Sequence, residues 1–230
     1  NEAFKQTTKV SKGCNLIEQQ QGAFTYAILP EGIGDSELKV AARQHLIEQA
    51  DRAIKYGNEN AFGLTVEDKG LPLIGPVGAF TVPGMFSQIL PRVHYLTGDD
   101  KYLGGAIRAA NFSAGANPDN MTFTTGVGQA FPLAPLHLDS RYTGQPAPPG
   151  ITVYGAYDAD SLPNFAESND WVHTWNIGKT MIPNSRTWPA TEFYIDFFLW
   201  PSMNELTIRQ TMGPTSYYWG YLAGRPARNL

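Results

Sequence analysis

The segment Tyr194-Ile-Asp196-Phe-Phe-Leu-Trp-Pro-Ser-Met-Asn-Glu-Leu-Thr-Ile208 sets one carboxylate, Glu205, beside the amide of Asn204 and after a run of rings. A carboxyl surrounded by Phe197, Phe198, Trp200 and Met203 would be partly desolvated. Burial disfavours the charged form, so such a group holds a proton near neutral pH and can act as a general acid. Breaking a glycosidic bond calls for a group of that kind. The same residues have a plainer reading, in which Glu205 lies in the first turn of a helix, favoured by the helix dipole, while Asn204 caps a backbone N–H. Glu192 and Asp196 are a second pair of carboxylates, which a helix would bring to one face.

Other side chains suit a neutral, hydroxyl-rich ligand. His137 and Arg141 carry hydrogen-bond donors that match sugar hydroxyls; equally, His137 would bond to loop backbone and Arg141 would pair with Asp139. Trp171 and Trp175, in the run Trp171-Val-His173-Thr-Trp175, offer flat indole faces to the C–H face of a pyranose, as does Trp188, and the same rings would serve in a core. His45 and His94 fall in helical patterns and read as packing or surface residues. Four histidines and one cysteine give no zinc spacing, and no acidic calcium loop is present, so no metal or other cofactor is expected from the residues themselves.

Composition narrows the classes. The 230 residues are 42% hydrophobic and 17% charged, enough for one domain with a substantial core. A net charge of −4 and a pI near 5.5 offer no basic patch for a phosphate backbone or an anionic lipid surface, which disfavours nucleic-acid and membrane roles. No apolar stretch approaches the roughly 20 residues of a membrane helix. Cys14 is alone, so no internal disulfide forms. The sequons Asn111-Phe-Ser113 and Asn120-Met-Thr122 are compatible with secretion.

The elements that must position these groups are helices separated by long loops. The spacing predicts an amphipathic helix over 36–54 with Gly57 as its stop, a second over 85–96 despite Pro91, and a third over 99–114, with Thr97-Gly98-Asp99 as the turn and N-cap between the last two. From Pro132 to Pro189 the chain is rich in proline and glycine and has no sustained period. Helical character returns over 192–199 and 202–210, and Pro214 opens a last helix toward Leu222. Strand signals are sparse.

At this point the residues resemble a known family. Leu96-Thr-Gly-Asp-Asp-Lys-Tyr-Leu103, Gly115-Ala-Asn-Pro118 and Phe123-Thr-Thr-Gly-Val-Gly128 look like the corresponding string of glycoside hydrolase family 9, in order and spacing. The likeness continues through Pro135-Leu-His137-Leu-Asp-Ser-Arg141, Pro149-Gly150-Ile-Thr-Val153-Tyr-Gly155, Tyr194-Ile-Asp196 and Asn204-Glu205, spanning roughly residues 80–223. It departs where the family has a tandem histidine, which is Leu136-His137 here, and over a loop-rich insertion at about residues 156–190.

The resemblance implies an all-α fold in which residues 1–230 form the C-terminal half of an (α/α)6 barrel with long loops, with Glu205 as proton donor. It implies a glycosidase of the endoglucanase type, secreted or periplasmic, acting on a β-linked glucan-like polysaccharide or oligosaccharide with inversion. Structural calcium accompanies the family, with no ligands visible here. An inverting glycosidase also needs a carboxylate that activates water from the opposite face of the sugar, roughly 6.5–9.5 Å from the acid. In the family that base belongs to an Asp-Ala-Gly-Asp-like motif, which these 230 residues lack; Asp158-Ala-Asp160 is a poor substitute. Together with Asn in place of Met at position 1, this leads to the expectation that a preceding segment or chain of the same precursor supplies the base. Two alternatives stay open: a polysaccharide lyase or epimerase using Tyr142, His137 and Arg141, and a non-catalytic carbohydrate-binding half-barrel.

Overall fold

The computed structural model describes residues 17–65, 73–74, 88–157, 182–183, 187–189 and 191–225. The described chain is helical, as expected. Its elements are α1 (Ile17–Ala27), α2 (Ser36–Glu59), α3 (Ile89–Thr97), α4 (Asp100–Ser113), α5 (Leu138–Thr143), α6 (Pro201–Asn204) and α7 (Gly213–Ala223). One antiparallel ladder of two residues per strand joins β1 (Leu73–Ile74) to β2 (Ala156–Tyr157).

Helix α2 starts where Asp35 accepts from the N–H groups of Glu37 and Leu38, at 3.0 and 3.2 Å. It does not stop at Gly57. That glycine is buried inside the helix, where a Cβ would lie 3.2 Å from the Gly63 carbonyl oxygen. The stop comes at Asn60, whose side chain donates to the carbonyls of Tyr56 and Leu64 and accepts from the N–H groups of Phe62 and Leu64. Helix α3 tolerates Pro91 because the proline falls in the first turn, where backbone N–H groups have no intrahelical partner. Gly98, at φ 70°, closes α3 by donating to His94, and Asp99 caps α4 through the N–H of Lys101. Residues 75–87, where the second helix was expected to begin, lie outside the described residues.

The helices share one apolar core. Ala42, Leu46, Ala50 and Ala53 of α2 meet Ile89, Leu90 and Val93 of α3, Tyr102, Ala106 and Ala110 of α4, and Tyr218 of α7. Tyr218 donates to the Ala106 carbonyl at 2.9 Å, which satisfies the one polar atom its burial would otherwise strand. Helix α1 was not anticipated, because its glutamines disguise the inward stripe Gln20, Ala23 and Ala27. Gln20 is buried through hydrogen bonds to Gln49 and Arg92.

Tyr102 donates to Asp51, and further along Arg108 donates to Asn58 and to the Gly57 carbonyl, so α2 and α4 run side by side in the same direction. Their C-terminal ends therefore lie together, and the loops that leave α4 build on that end. A second core sits there: Leu64, Phe112, Phe123, Val153, Tyr154, Phe193, Tyr194, Trp200 and Met203. Its rings meet mostly edge to face, as Phe123 with Tyr194 at 5.3 Å and Phe193 with Trp200 at 5.2 Å between centroids.

Two expected helices are absent or cut short, for one physical reason. Residues 192–199 form turns and extended chain, because the carbonyls of Ile195 and Phe197 are taken by the side-chain amide of Asn204. The 202–210 stretch is α-helical only through Asn204. The carbonyls of Met203, Asn204 and Glu205 accept from the N–H groups of Gly155, Leu136 and Tyr154 in place of a continuing helix. A π-helical turn, Ile208–Met212, then leads into α7.

Candidate active site

Glu205 stands at the C-terminal cap of α6 with extended backbone, φ −67° and ψ 152°, and its side chain is exposed. Both sequence expectations for its surroundings need correction. It does not occupy the first turn of a helix, since α6 ends there. Nor is it wrapped in rings: Trp200 and Met203 turn into the second core, while Phe197 and Phe198 are half-buried. The backbone, by contrast, is held on all sides. Glu205 donates its N–H to Pro201 at 2.9 Å, and its carbonyl accepts from Tyr154 at 3.2 Å. Burial raises the Tyr154 phenol above its ordinary range, against a hydrogen bond with Thr207, and the nearby Glu205 charge pushes it the same way as burial.

Asn204 is fully buried, with 0% exposure. Its amide nitrogen donates to the carbonyls of Ile195, Phe197 and Trp200, at 2.7, 2.9 and 3.3 Å, and its oxygen accepts from the Tyr194 hydroxyl at 2.7 Å. Sequence reasoning saw only a capping amide here. The tie to the neighbouring loop is direct: Leu136 donates to the Asn204 carbonyl at 2.8 Å, so His137 follows immediately on a residue bonded to the Glu205 segment. Asp196 fastens the same loop from the other side, accepting from the N–H groups of Leu133 and Ala134 at 2.6 and 2.9 Å. It is thus a loop clip, and since no helix forms here it shares no helical face with Glu192.

His137 is the N-cap of α5. Its Nδ1 accepts from the Ser140 N–H at 3.3 Å and lies 2.7 Å from Ser140 Oγ. That leaves Nε2 to carry the ring hydrogen and to serve as donor. Arg141 lays its guanidinium over the Phe198 ring, 3.2 Å from the centroid, and among the described residues no ion pair joins it to Asp139. The structure thus gathers Glu205, His137 and Arg141 onto neighbouring segments: Arg141 rests on Phe198, and the Leu136 peptide on Asn204. Trp171, Trp175, Asp158 and Asp160 lie outside the described residues. Trp188 packs edge-on against Phe193 and donates to the Pro183 carbonyl, which is a packing role. Among the described residues no group of three or more metal-ligating side chains converges, and no helix is long and apolar enough to cross a membrane.

Because Nδ1 is spent on the cap, two substitutions separate the roles of His137. His137→Asn keeps a capping oxygen and loses Nε2–H, whereas His137→Ala loses both. If Nε2 meets a sugar hydroxyl, both variants lower kcat/KM by roughly 3- to 10-fold, the worth of one hydrogen bond, and only the alanine lowers the melting temperature. Unchanged kinetics in both variants would make the residue a cap alone.

Asp119 had no signal in the sequence. Its Oδ2 is buried without a hydrogen-bond partner, and desolvation, helped by the charge of Glu192, pushes the carboxyl up to about 6. A carboxyl raised on folding favours the protonated fold, so its contribution is present below about pH 4 and is lost as pH rises through about 6. Asp119→Asn is expected to stabilise the protein at pH 7 by about 1 kcal/mol, allowing for solvent screening of a half-buried group, and to change nothing at pH 4. Melting curves at both pH values check this; a variant no more stable than wild type at pH 7 refutes it.

No protein-family model matches the sequence, and no curated protein is a significant match. Solved structures do match. A glycoside hydrolase family 9 endoglucanase, J30, superposes with a TM-score of 0.68 at 19% identity, over 90% of this chain and 34% of that one. A metagenome-derived family 9 endoglucanase gives 0.69 at 20% identity, over 90% and 33%. AaCel9A, solved with a cellobiose-like isofagomine, gives 0.68 at 20% identity, over 90% and 36%. The chain spans about a third of the length of the structures it matches, and over that third it has the fold of the family 9 endoglucanases.

Proposed function

We propose that this chain carries the acid half of an inverting glycosidase that cleaves β-linked glucans, with Glu205 as proton donor. The observation that carries the reading is the exposed Glu205 carboxylate on a backbone pinned to the His137 loop, in a chain with the fold of family 9 endoglucanases, one of them solved with a cellobiose-like ligand. Glu205 gives its proton to the glycosidic oxygen as the bond to the anomeric carbon breaks. An aspartate on a segment outside this chain takes a proton from water, which attacks that carbon from the opposite face. His137 and Arg141 donate to hydroxyls of the bound sugar, and Trp171 and Trp175 stack on it. Extracellular or periplasmic action on a polymer follows from the same reading.

The complete enzyme, given a soluble mixed-linkage β-glucan, is expected to release new reducing ends that begin as the α anomer, read by proton NMR before mutarotation. A product that begins as the β anomer would refute inversion. An unsaturated product absorbing in the ultraviolet would make the protein a lyase, and binding without cleavage would make it a carbohydrate-binding half-barrel.

A further inference from the structure

We infer that Asn204 and Tyr194 are positioning residues for Glu205, holding its carboxylate where a leaving oxygen needs the proton; this rests on reading Glu205 as the donor. Helix α6 has four residues, too few for its own hydrogen bonds to fix its end. What fixes it is Asn204, whose amide gathers three carbonyls of the 195–200 loop while its oxygen takes the Tyr194 proton. Every hydrogen-bonding atom of that buried side chain is used, so it has one orientation. Its carbonyl simultaneously holds Leu136, and the next residue's carbonyl holds Tyr154. Glu205 thus hangs from a backbone whose position is set by the side chain immediately before it.

Tyr194 makes this arrangement one-directional. Burial, then the charges of Asp196 and Asp119, keep the phenol protonated far above its ordinary range, so it donates at any working pH. The Asn204 nitrogen faces three loop carbonyls, which turns its oxygen to the Tyr194 hydroxyl that donates to it. The Tyr194 ring is separately anchored edge-on against Phe123, so deleting only the hydroxyl leaves the packing in place. Tyr194→Phe would strip Asn204 of its orienting partner and free the end of α6 to shift.

The discriminating measurement is leaving-group dependence. A β-glucan leaves as an alkoxide that needs a proton, whereas 2,4-dinitrophenyl β-cellobioside leaves as a stable phenolate that does not. In the complete enzyme, Tyr194→Phe is expected to lower kcat on β-glucan about tenfold with KM within about twofold, and to change dinitrophenyl release by less than about twofold. Equal losses on both substrates, or no loss on either, would overturn the inference. Glu205→Gln run in parallel keeps the two levels apart. If its own loss is the same on both substrates, the donor reading fails; if its loss is confined to β-glucan while that of Tyr194→Phe is not, only the positioning role fails. Should Tyr194→Phe not fold, Asn204→Asp is read the same way, and if neither folds the pair is a folding element and the inference is wrong.

Discussion

Replacing Glu205 with glutamine is expected to lower turnover of β-glucan by about 10²–10⁴-fold, the range typical of a general acid, with the melting temperature unchanged. Both halves of that expectation come from the site's construction. The carboxylate is exposed and contributes nothing to either core, whereas the backbone beneath it is fixed by hydrogen bonds that the amide variant retains. Size and hydrogen-bonding capacity survive the substitution; the transferable proton does not. If Glu205→Gln stayed within a few-fold of wild type while Glu192→Gln abolished activity, the acid would be Glu192. The structure gives Glu192 no matching support, since its segment is a turn rather than a framed helix end.

Residues 1–230 expressed by themselves are expected to release no detectable reducing sugar from β-glucan and to aggregate. An acid without a base cannot complete inversion, and these residues contain no Asp-Ala-Gly-Asp-like motif. The surface around the site points the same way. Leu133 is 75% exposed on the loop before His137, Leu138 and Tyr142 are 63% and 88% exposed on α5, and Ile208 is 78% exposed just beyond Glu205. Exposed apolar groups on the segments that carry His137 and Glu205 are what a covering segment would bury. Co-expression with the segment bearing the aspartate base should restore solubility and hydrolysis together. A soluble, monomeric and active 230-residue chain would refute the two-part reading and turn attention to Asp158 or Asp160.

The helical scaffold was legible where one physical rule governed a stretch of sequence. The α2 stripe and the Thr97-Gly98-Asp99 turn follow from apolar spacing, a left-handed glycine and a capping carboxylate, all local. What escaped was decided by contacts outside the local helical repeat. Gly57 read as a stop because nothing nearby shows that the Gly63 carbonyl needs its bare face. Residues 192–199 and 205–207 read as helix because the sequence does not show that the Asn204 side chain takes the carbonyls of Ile195 and Phe197, or that Gly155, Leu136 and Tyr154 take those of Met203, Asn204 and Glu205. The site divides likewise. The spacing of Asn204-Glu205 from Tyr194 singled out the segment that the structure ties to the His137 loop, but the caging of Asn204 in place of Glu205 required the three-dimensional loop. Asp119 became visible only through the burial of one oxygen.

The buried Arg92 bears on how the chain reaches this structure at all. Its guanidinium bonds Gln20 of α1 and lies over the rings of Phe24, from the same helix, and Tyr217, from α7, at 5.7 and 5.6 Å. Tyr218 reaches Ala106, and Tyr221 bonds His94, across separations of 112 and 127 residues. Helices α1 to α4 therefore wait for α7, more than 100 residues later, before their shared core can close, and loop-closure entropy is spent before those contacts form. For a mostly helical chain, that makes the arrival of α7, rather than helix formation, the step after which this core begins to accumulate, and it leaves the nascent α2–α4 surface in need of protection until then.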